Sequence, residues 1–140
     1  MQQVEPIRSE NYRDQDIITL ARIVVPETLQ PAVTADFSSV TLDVFDLSSK
    51  DAASATVYST ALDLADIFFD VPVVDELWNQ NGAVDDVGYN FMHALLRPSN
   101  LFDCGEGHTL LLRYQFNRSD EDRSPLWVVH ERRLLPNGWF

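Results

Sequence analysis

A repeated alternation of apolar residues with a period of two constrains this chain more than any other feature of its sequence. The alternating positions are Tyr89, Phe91, His93 and Leu95, then Leu110, Leu112, Tyr114 and Phe116, and finally Trp127 and Val129. Successive side chains of a strand point to opposite faces, so each run predicts a strand whose alternating residues form one buried face. Because loops rich in Gly, Pro, Asn and Asp separate the runs, they predict an antiparallel sandwich or barrel.

The rest of the chain adds further short strands. The predicted strands cover residues 17–25, 40–45, 55–60, 67–70, 87–96, 108–117 and 126–134, with one helical turn at 74–78 and a polar hairpin tip at 118–125. Strands of this number and length in a chain of 140 residues predict a single antiparallel immunoglobulin-like β-sandwich of about seven strands. The Cys…Trp…Cys signature of antibody domains is absent from the sequence.

The two ends differ in composition from this domain. Residues 1–15 are polar and predict an extended N-terminal arm, residues 16–135 form the sandwich, and residues 136–140 form a C-terminal aromatic tail. Exposed terminal aromatics are costly unless they dock, either on their own sandwich or on a neighbouring protein. We therefore predict that the partner-binding residues are Val4, Tyr12, Trp139 and Phe140.

The net charge limits the kinds of partner, and the cysteine content excludes an intrachain disulfide. The formal net charge is −12, which disfavours binding to nucleic acid and to anionic membrane surfaces. Cys104 is the single cysteine, so an intrachain disulfide is impossible. We find neither an apolar signal core at the N-terminus nor a run of about 20 apolar residues, so we expect a chain that matures in a cytosol.

The sequence offers little catalytic equipment. His93 lies on an apolar strand face, which favours a core or interface histidine with satisfied ring nitrogens, and His130 with Glu131 predicts a solvated strand edge. Asp43 is expected on an outer face, and Cys104 lies between acidic residues that disfavour the thiolate of a nucleophile. The acidic clusters do not follow the spacing of a calcium loop; they are Asp85–Asp86 and Asp120–Asp122. We predict no catalytic residue, cofactor or metal ligand, and a protein that is not an enzyme.

Several short motifs resemble a group of small tailed-bacteriophage proteins. The segment 13–20 is similar to the first strand of phage baseplate immunoglobulin-like domains. Further similar motifs are Val44-Phe45-Asp46-Leu47-Ser48-Ser49, Val57-Tyr58-Ser59, Asp86-Val87-Gly88-Tyr89-Asn90-Phe91-Met92-His93, Leu112-Arg113-Tyr114-Gln115-Phe116 and Trp127-Val128-Val129-His130-Glu131. Together they extend over about residues 13–131, and their joint order is more specific than any one of them.

The resemblance implies a virion structural protein, made in the host cytoplasm, whose partners are the major capsid protein or other virion proteins and further copies of itself. The chain departs from the pattern at Leu110 and Leu111, where a strand-opening Tyr is expected, and we expect no receptor-binding or upper-baseplate extension after the domain. A capsid cement or decoration protein is therefore the first expectation. The alternatives are a head–tail adaptor or tail component, and a carbohydrate- or ligand-binding sandwich.

Overall fold

A computed structural model describes residues 7–12, 15–48, 56–80, 88–98, 101 and 107–135 of the protein. Short helical segments interrupt the strands at Thr34–Asp36 (3-10), Leu64–Ile67 (α1) and Glu76–Gln80 (α2). The strands in these ranges are β1 (Ile7–Tyr12), β2 (Ile17–Ala21), β3 (Phe37–Asp46), β4 (Thr56–Leu62), β5 (Phe68–Val73), β6 (Tyr89–Leu95), β7 (Thr109–Arg118) and β8 (Leu126–Leu135).

The strands form two sheets that pack face to face. The front sheet has the order β1-β8-β7-β3-β4, and the back sheet has the order β2-β6-β5. Neighbouring strands are antiparallel except for β1, which lies parallel to β8. The chain crosses between the sheets after β1, β2, β4 and β6, as the Greek-key connections of an immunoglobulin-like sandwich require. The predicted all-β sandwich, with seven antiparallel strands, is confirmed.

Strand β1 lies inside the segment that the sequence analysis assigns to an arm. Its sequence, IRSENY, has no apolar alternation, so the hydrophobic period gives no signal for it. An edge strand gains its hydrogen bonds from a single neighbour, and here residues Ile7–Tyr12 pair in register with His130–Leu135. The sandwich therefore begins before residue 16, and Tyr12 is the last residue of β1.

The core lies between the sheets and is rich in aromatic rings. Phe37 and Phe116 come from the front sheet, and Phe68 and Phe91 come from the back sheet. The ring centroids of Phe37 and Phe68 are 5.3 Å apart, and those of Phe91 and Phe116 are 5.3 Å apart, both with edge-to-face geometry. Such pairs contribute about 0.5–1.5 kcal/mol each beyond the burial of their area, so they join the two sheets at their centre.

Strand β8 buries the opposite face from the one that its sequence suggests. Val128, His130, Arg132 and Leu134 point into the core, whereas Trp127 and Val129 lie on the outer face of the front sheet. The prediction that Trp127 and Val129 form the buried face is therefore wrong. Because residues 127–129 are all apolar, the sequence fits burial of either face of β8. A shift of the strand register by one residue moves every side chain to the opposite face of the sheet.

Candidate functional site

The outer face of the front sheet carries a compact group of aromatic, aliphatic and charged side chains. Strands β3 and β7 turn Val40, Leu42, Val44 and the even-numbered residues Leu110–Phe116 into the core, so their alternating neighbours point outward. Asp43 and Arg113 are cross-strand partners, and Arg113 is also the partner of Val129 in β8. We call this group the Arg113 patch; its members are Asp43, Phe45, Leu111, Arg113, Trp127 and Val129.

Arg113 is held at the centre of the patch by two rings. Its guanidinium carbon lies 5.0 Å from the centroid of the Phe45 ring and 5.2 Å from that of the Trp127 ring. A cation within about 6 Å of an aromatic face gains roughly 0.5–1 kcal/mol at an exposed site. The two rings come from β3 and β8, so the side chain of Arg113 in β7 is clamped across three neighbouring strands.

A carboxylate fixes the remaining end of the guanidinium. Arg113 Nη2 donates to Asp43 Oδ2 at 3.1 Å, and the Ser59 hydroxyl donates to Asp43 Oδ1 at 2.6 Å. The hydrogen bond from Ser59, and then the one from Arg113, lower the pKa of Asp43, so the carboxylate is ionised at neutral pH. An ion pair at the surface contributes about 0–1 kcal/mol, so its main effect is to hold Arg113 in one orientation. The prediction that Asp43 faces outward is confirmed.

The patch remains accessible despite these contacts. Trp127 is 36% exposed, and Phe45, Leu111 and Val129 are each partly exposed. Arg and aromatic residues are enriched at the centres of protein–protein interfaces, where they supply most of the binding free energy. A side chain that is ordered before binding loses less conformational entropy in the complex. The arrangement therefore suits a contact surface.

A second polar group lies inside the sandwich. His93 Nδ1 is 2.7 Å from the hydroxyl oxygen of Tyr114, and the Tyr114 hydroxyl is 3.4 Å from Thr19 Oγ1. Burial lowers the pKa of His93 to about 4 and raises the pKa of Tyr114, so both are neutral at neutral pH. His93 is partly buried and its Nδ1 has Tyr114 as a partner, so the part of the prediction that concerns Nδ1 is confirmed.

His130 and Arg132 extend this group along β8. His130 is fully buried, and neither ring nitrogen has a hydrogen-bond partner among the described residues. Burial, followed by the charge of Arg132, lowers the pKa of His130 to about 3. Arg132 Nη2 donates to the Ile18 carbonyl of β2 at 2.9 Å and so ties the front sheet to the back sheet. The prediction of a solvated edge at His130 is wrong, because β8 turns its even-numbered residues inward.

An Asp–His pair lies at the end of β3. His108 Nδ1 is 2.8 Å from Asp46 Oδ2, and the Ser48 N–H donates to Asp46 Oδ1 at 3.0 Å. Asp46 is buried, whereas the side chain of His108 is 38% exposed. Such a pair forms two members of an acyl-transfer triad. Among the described residues, Asp46 is the hydrogen-bond partner of the His108 ring, and the pair links the end of β3 to the residue that precedes β7.

The remaining predicted site residues are placed as follows. Val4, Trp139 and Phe140 lie outside the described residues, as do Asp85, Asp86 and Cys104. The backbone of Tyr12 pairs with that of Leu135. In the hairpin tip, one oxygen of Asp120 accepts from the Asp122 N–H at 3.0 Å and the other lies 3.7 Å from Arg123 Nε. Within the ranges that the structure covers, no group of three or more His, Cys, Asp or Glu side chains is arranged to hold a metal ion.

Sequence reasoning did not single out the Arg113 patch. Arg113 lies between Leu112 and Tyr114, which both point inward, so an outward Arg was predictable from alternation alone. Its contacts were not, because Phe45 and Trp127 are far away in sequence and meet Arg113 only when three strands align.

Comparisons with protein-family models, with curated proteins and with solved structures found no match. In the described ranges, no helix is long and apolar enough to cross a membrane.

Proposed function

We propose that this protein is a non-enzymatic structural protein that binds another protein through the Arg113 patch, and that its setting is a tailed-phage virion. The observation that supports binding is the clamped Arg113, held by Phe45 and Trp127 and oriented by Asp43. The virion setting depends on the resemblance alone. A cement or decoration protein on the outside of the capsid is the first form of the proposal, since a net charge of −12 suits a surface away from packaged DNA.

The chemistry of the patch favours a protein partner over a polynucleotide. Arg113 is already paired with Asp43, so its charge is compensated before any ligand arrives. The surrounding side chains Leu111, Val129 and Trp127 offer apolar area. The patch thus has apolar area around a central polar pair. Protein interfaces likewise combine an apolar core, from which water is displaced, with polar contacts.

The first experiment is to count this protein in purified particles of the virus that encodes it. Quantitative mass spectrometry against the major capsid protein gives the copy number. Hundreds of copies support cement or decoration, and about a dozen support a ring at the neck or tail, as closed symmetry requires. Absence from particles overturns the virion proposal.

The second experiment tests the patch in the same particles. Arg113→Ala and Trp127→Ala should each raise the dissociation constant for the particle at least about tenfold and so lower the occupancy, because hot-spot residues at interface centres cost about 2 kcal/mol or more when truncated. Leu29→Ala is the control, since Leu29 is 77% exposed and lies in the loop between β2 and β3. Full occupancy of both patch variants would show that the partner binds elsewhere, for example at the predicted anchors Val4, Tyr12, Trp139 and Phe140.

One observation favours a second candidate function. Trp127 is partly exposed on a sheet face, and its cross-strand partner is the polar Gln115. An accessible indole beside an amide is a combination that binds sugar rings, so a carbohydrate-binding sandwich is the second candidate. A glycan array on which the protein binds no member would remove it.

A further inference from the structure

The back sheet is apolar on both of its faces. Its three strands contain one acidic residue, Asp70, and no Lys or Arg. Ile17 and Thr19 of β2 are buried between the two sheets. Ile18 and Leu20 therefore point to the outer face. The outer face of an antiparallel sheet normally carries polar side chains where it meets water, so this face is suited to contact with protein.

Helix α2 covers one end of this outer face. Its Trp78 packs with Leu20 and Tyr89 in an apolar cluster that is separate from the main core. Asp75 holds the helix in place, since one of its carboxylate oxygens accepts from the Trp78 N–H at 3.2 Å and the other accepts from the Tyr89 hydroxyl at 2.9 Å. The helix therefore forms an ordered ridge on the face, and its Leu77 is 39% exposed.

The other end of the outer face is exposed. Ile18 and Ala94 are cross-strand partners of β2 and β6, and both are exposed, Ile18 by 40%. Leu96 follows β6 and is 63% exposed, and the Arg97 N–H donates to Asp16 Oδ1, which holds this segment beside the start of β2. We call Ile18, Ala94 and Leu96 the back-sheet patch. Exposed apolar side chains that adjoin one another mark interaction sites.

We propose that the back-sheet patch is the interface of a homodimer in which the back sheets of two copies face each other. A two-fold axis across the strands turns the second copy end for end. The α2 ridge of each copy then lies over the exposed patch of the other, where Leu77 meets Ile18 and Ala94. Each copy thus covers the apolar area that its partner's own α2 leaves exposed.

The charges at the two ends of β2 agree with this arrangement. Asp16 directly precedes β2 and Arg22 directly follows it, and both residues are exposed. In the reversed pair, the β2 strands of the two copies run antiparallel across the interface, so Asp16 of each copy lies opposite Arg22 of the other. Opposite charges at both ends favour this orientation over the one in which like ends meet.

The inference goes beyond the proposed function, because the Arg113 patch lies on the front sheet and takes no part in the dimer. Since the two front sheets face away from the interface, the dimer presents two Arg113 patches on opposite sides. Two joined contact surfaces bind a repetitive surface more tightly than one, because the second contact forms within the same complex. Such a dimer suits a protein that ties neighbouring subunits together.

The test is analytical ultracentrifugation of the whole protein, combined with amide hydrogen exchange. At physiological ionic strength, the repulsion between two chains of net charge −12 is screened beyond about 8 Å. We expect a dimer whose population rises with protein concentration. Its formation should slow the exchange of amides in β2, β6 and α2 and leave those of β7 unchanged.

Matched variants locate the interface. Ala94→Asp should raise the dissociation constant of the dimer at least about tenfold, because it places a charge in an apolar contact twice in a two-fold interface. Ala61→Asp is the control, since Ala61 is also an exposed strand residue but lies in β4 of the front sheet, and it should leave the constant unchanged. Leu77→Lys should weaken the dimer as Ala94→Asp does.

A mixture of the two weakened variants tests the orientation of the copies. In a dimer of one Ala94→Asp chain and one Leu77→Lys chain, the introduced carboxylate faces the introduced ammonium group. The equimolar mixture should therefore associate more tightly than either variant alone. A variant that had merely failed to fold could not show this recovery.

The outcomes that overturn the inference do not involve the particle. A protein that stays monomeric up to about 1 mM would exclude the dimer. Equal effects of Ala94→Asp and Ala61→Asp, protection confined to the front sheet, or no recovery in the mixture would each refute the back-sheet interface. The occupancy of particles by the Arg113 and Trp127 variants tests the proposed function separately.

Discussion

A single buried amide, Asn90, organises the loop between β2 and β3. Asn90 Oδ1 accepts from the Ile23 N–H at 2.8 Å, and its Nδ2 donates to the carbonyls of Ile23 at 2.9 Å and Ala32 at 3.1 Å. The side chain is fully buried. Buried backbone N–H and C=O groups that do not pair with a neighbouring strand need other hydrogen-bond partners. The Asn90 side chain supplies these hydrogen bonds to the loop.

Replacing Asn90 by Ala should therefore destabilise the protein by about 2–3 kcal/mol, since the Ile23 N–H and the Ala32 C=O lose the Asn90 amide inside the core, while the Ile23 C=O keeps the Ala32 N–H. Urea unfolding followed by Trp fluorescence measures this change. Asn117→Ala is the matched control: Asn117 donates to Ser39 Oγ in an exposed hydrogen bond, so we expect a loss of less than about 1 kcal/mol. Equal losses for the two variants would contradict the role of Asn90.

At the scale of elements, the backbone of β5 approaches closely at Gly88, the residue that precedes β6. Gly88 has a φ of +82°, and a Cβ on it would lie 2.2 Å from the Val73 carbonyl oxygen. Gly107 precedes β7 with a φ of +75°, but a Cβ there would have no atom within 4 Å. Both positions have a positive φ, which glycine adopts more readily than other residues. At Gly88 alone there is also no room for a Cβ atom.

This difference predicts unequal costs for the same substitution. Gly107→Ala should cost about 1 kcal/mol, the penalty of a positive φ. Gly88→Ala should cost clearly more, because the β5 backbone must also move. Denaturant midpoints of the two variants, compared with the unmodified protein, measure both. A Gly88 variant no less stable than the Gly107 variant would refute the close approach.

At the scale of the whole molecule, the interior holds two neutral histidines. The unfolded chain protonates His93 and His130 near pH 6.5, but burial holds their folded pKa values at about 4 and about 3. Below pH 6.5 the unfolded state binds protons that the folded state does not. The stability is therefore complete above pH 6.5 and is lost as the pH falls toward the folded pKa values.

We expect the free energy of unfolding to fall between pH 6 and about 4.5 by up to about 1.4 kcal/mol per pH unit for each histidine. His130→Leu should roughly halve this slope. It should also leave the stability at pH 7 equal or higher, because the ring nitrogens of His130 have no partners among the described residues. Urea titrations at several pH values test both statements, and a slope that His130→Leu does not change would contradict them.

The alternation of single strands determined much of this protein before any contact was known. In β3 and β7 the inward residues are apolar, apart from Asp46 at the end of β3, and most outward ones are polar, so strand, face and the outward position of Asp43 were all predictable. In β8 they were not: Trp127, Val128 and Val129 are equally apolar, and the inward His130 and Arg132 resemble a solvated edge. Likewise, the polar sequence of β1 has no hydrophobic period, so its parallel pairing came only from the structure.

The physical reason is the range of the interactions. Hydrophobic periodicity is a local property that can be recognised within one strand. A buried polar side chain, in contrast, is tolerated only where a group distant in sequence forms a hydrogen bond with it, as the Ile18 carbonyl does with Arg132. The Arg113 patch likewise requires Phe45 and Trp127 to flank β7. The sequence by itself thus determined the strands and the class of fold, and only the tertiary structure decided which faces are buried and which surfaces remain for a partner.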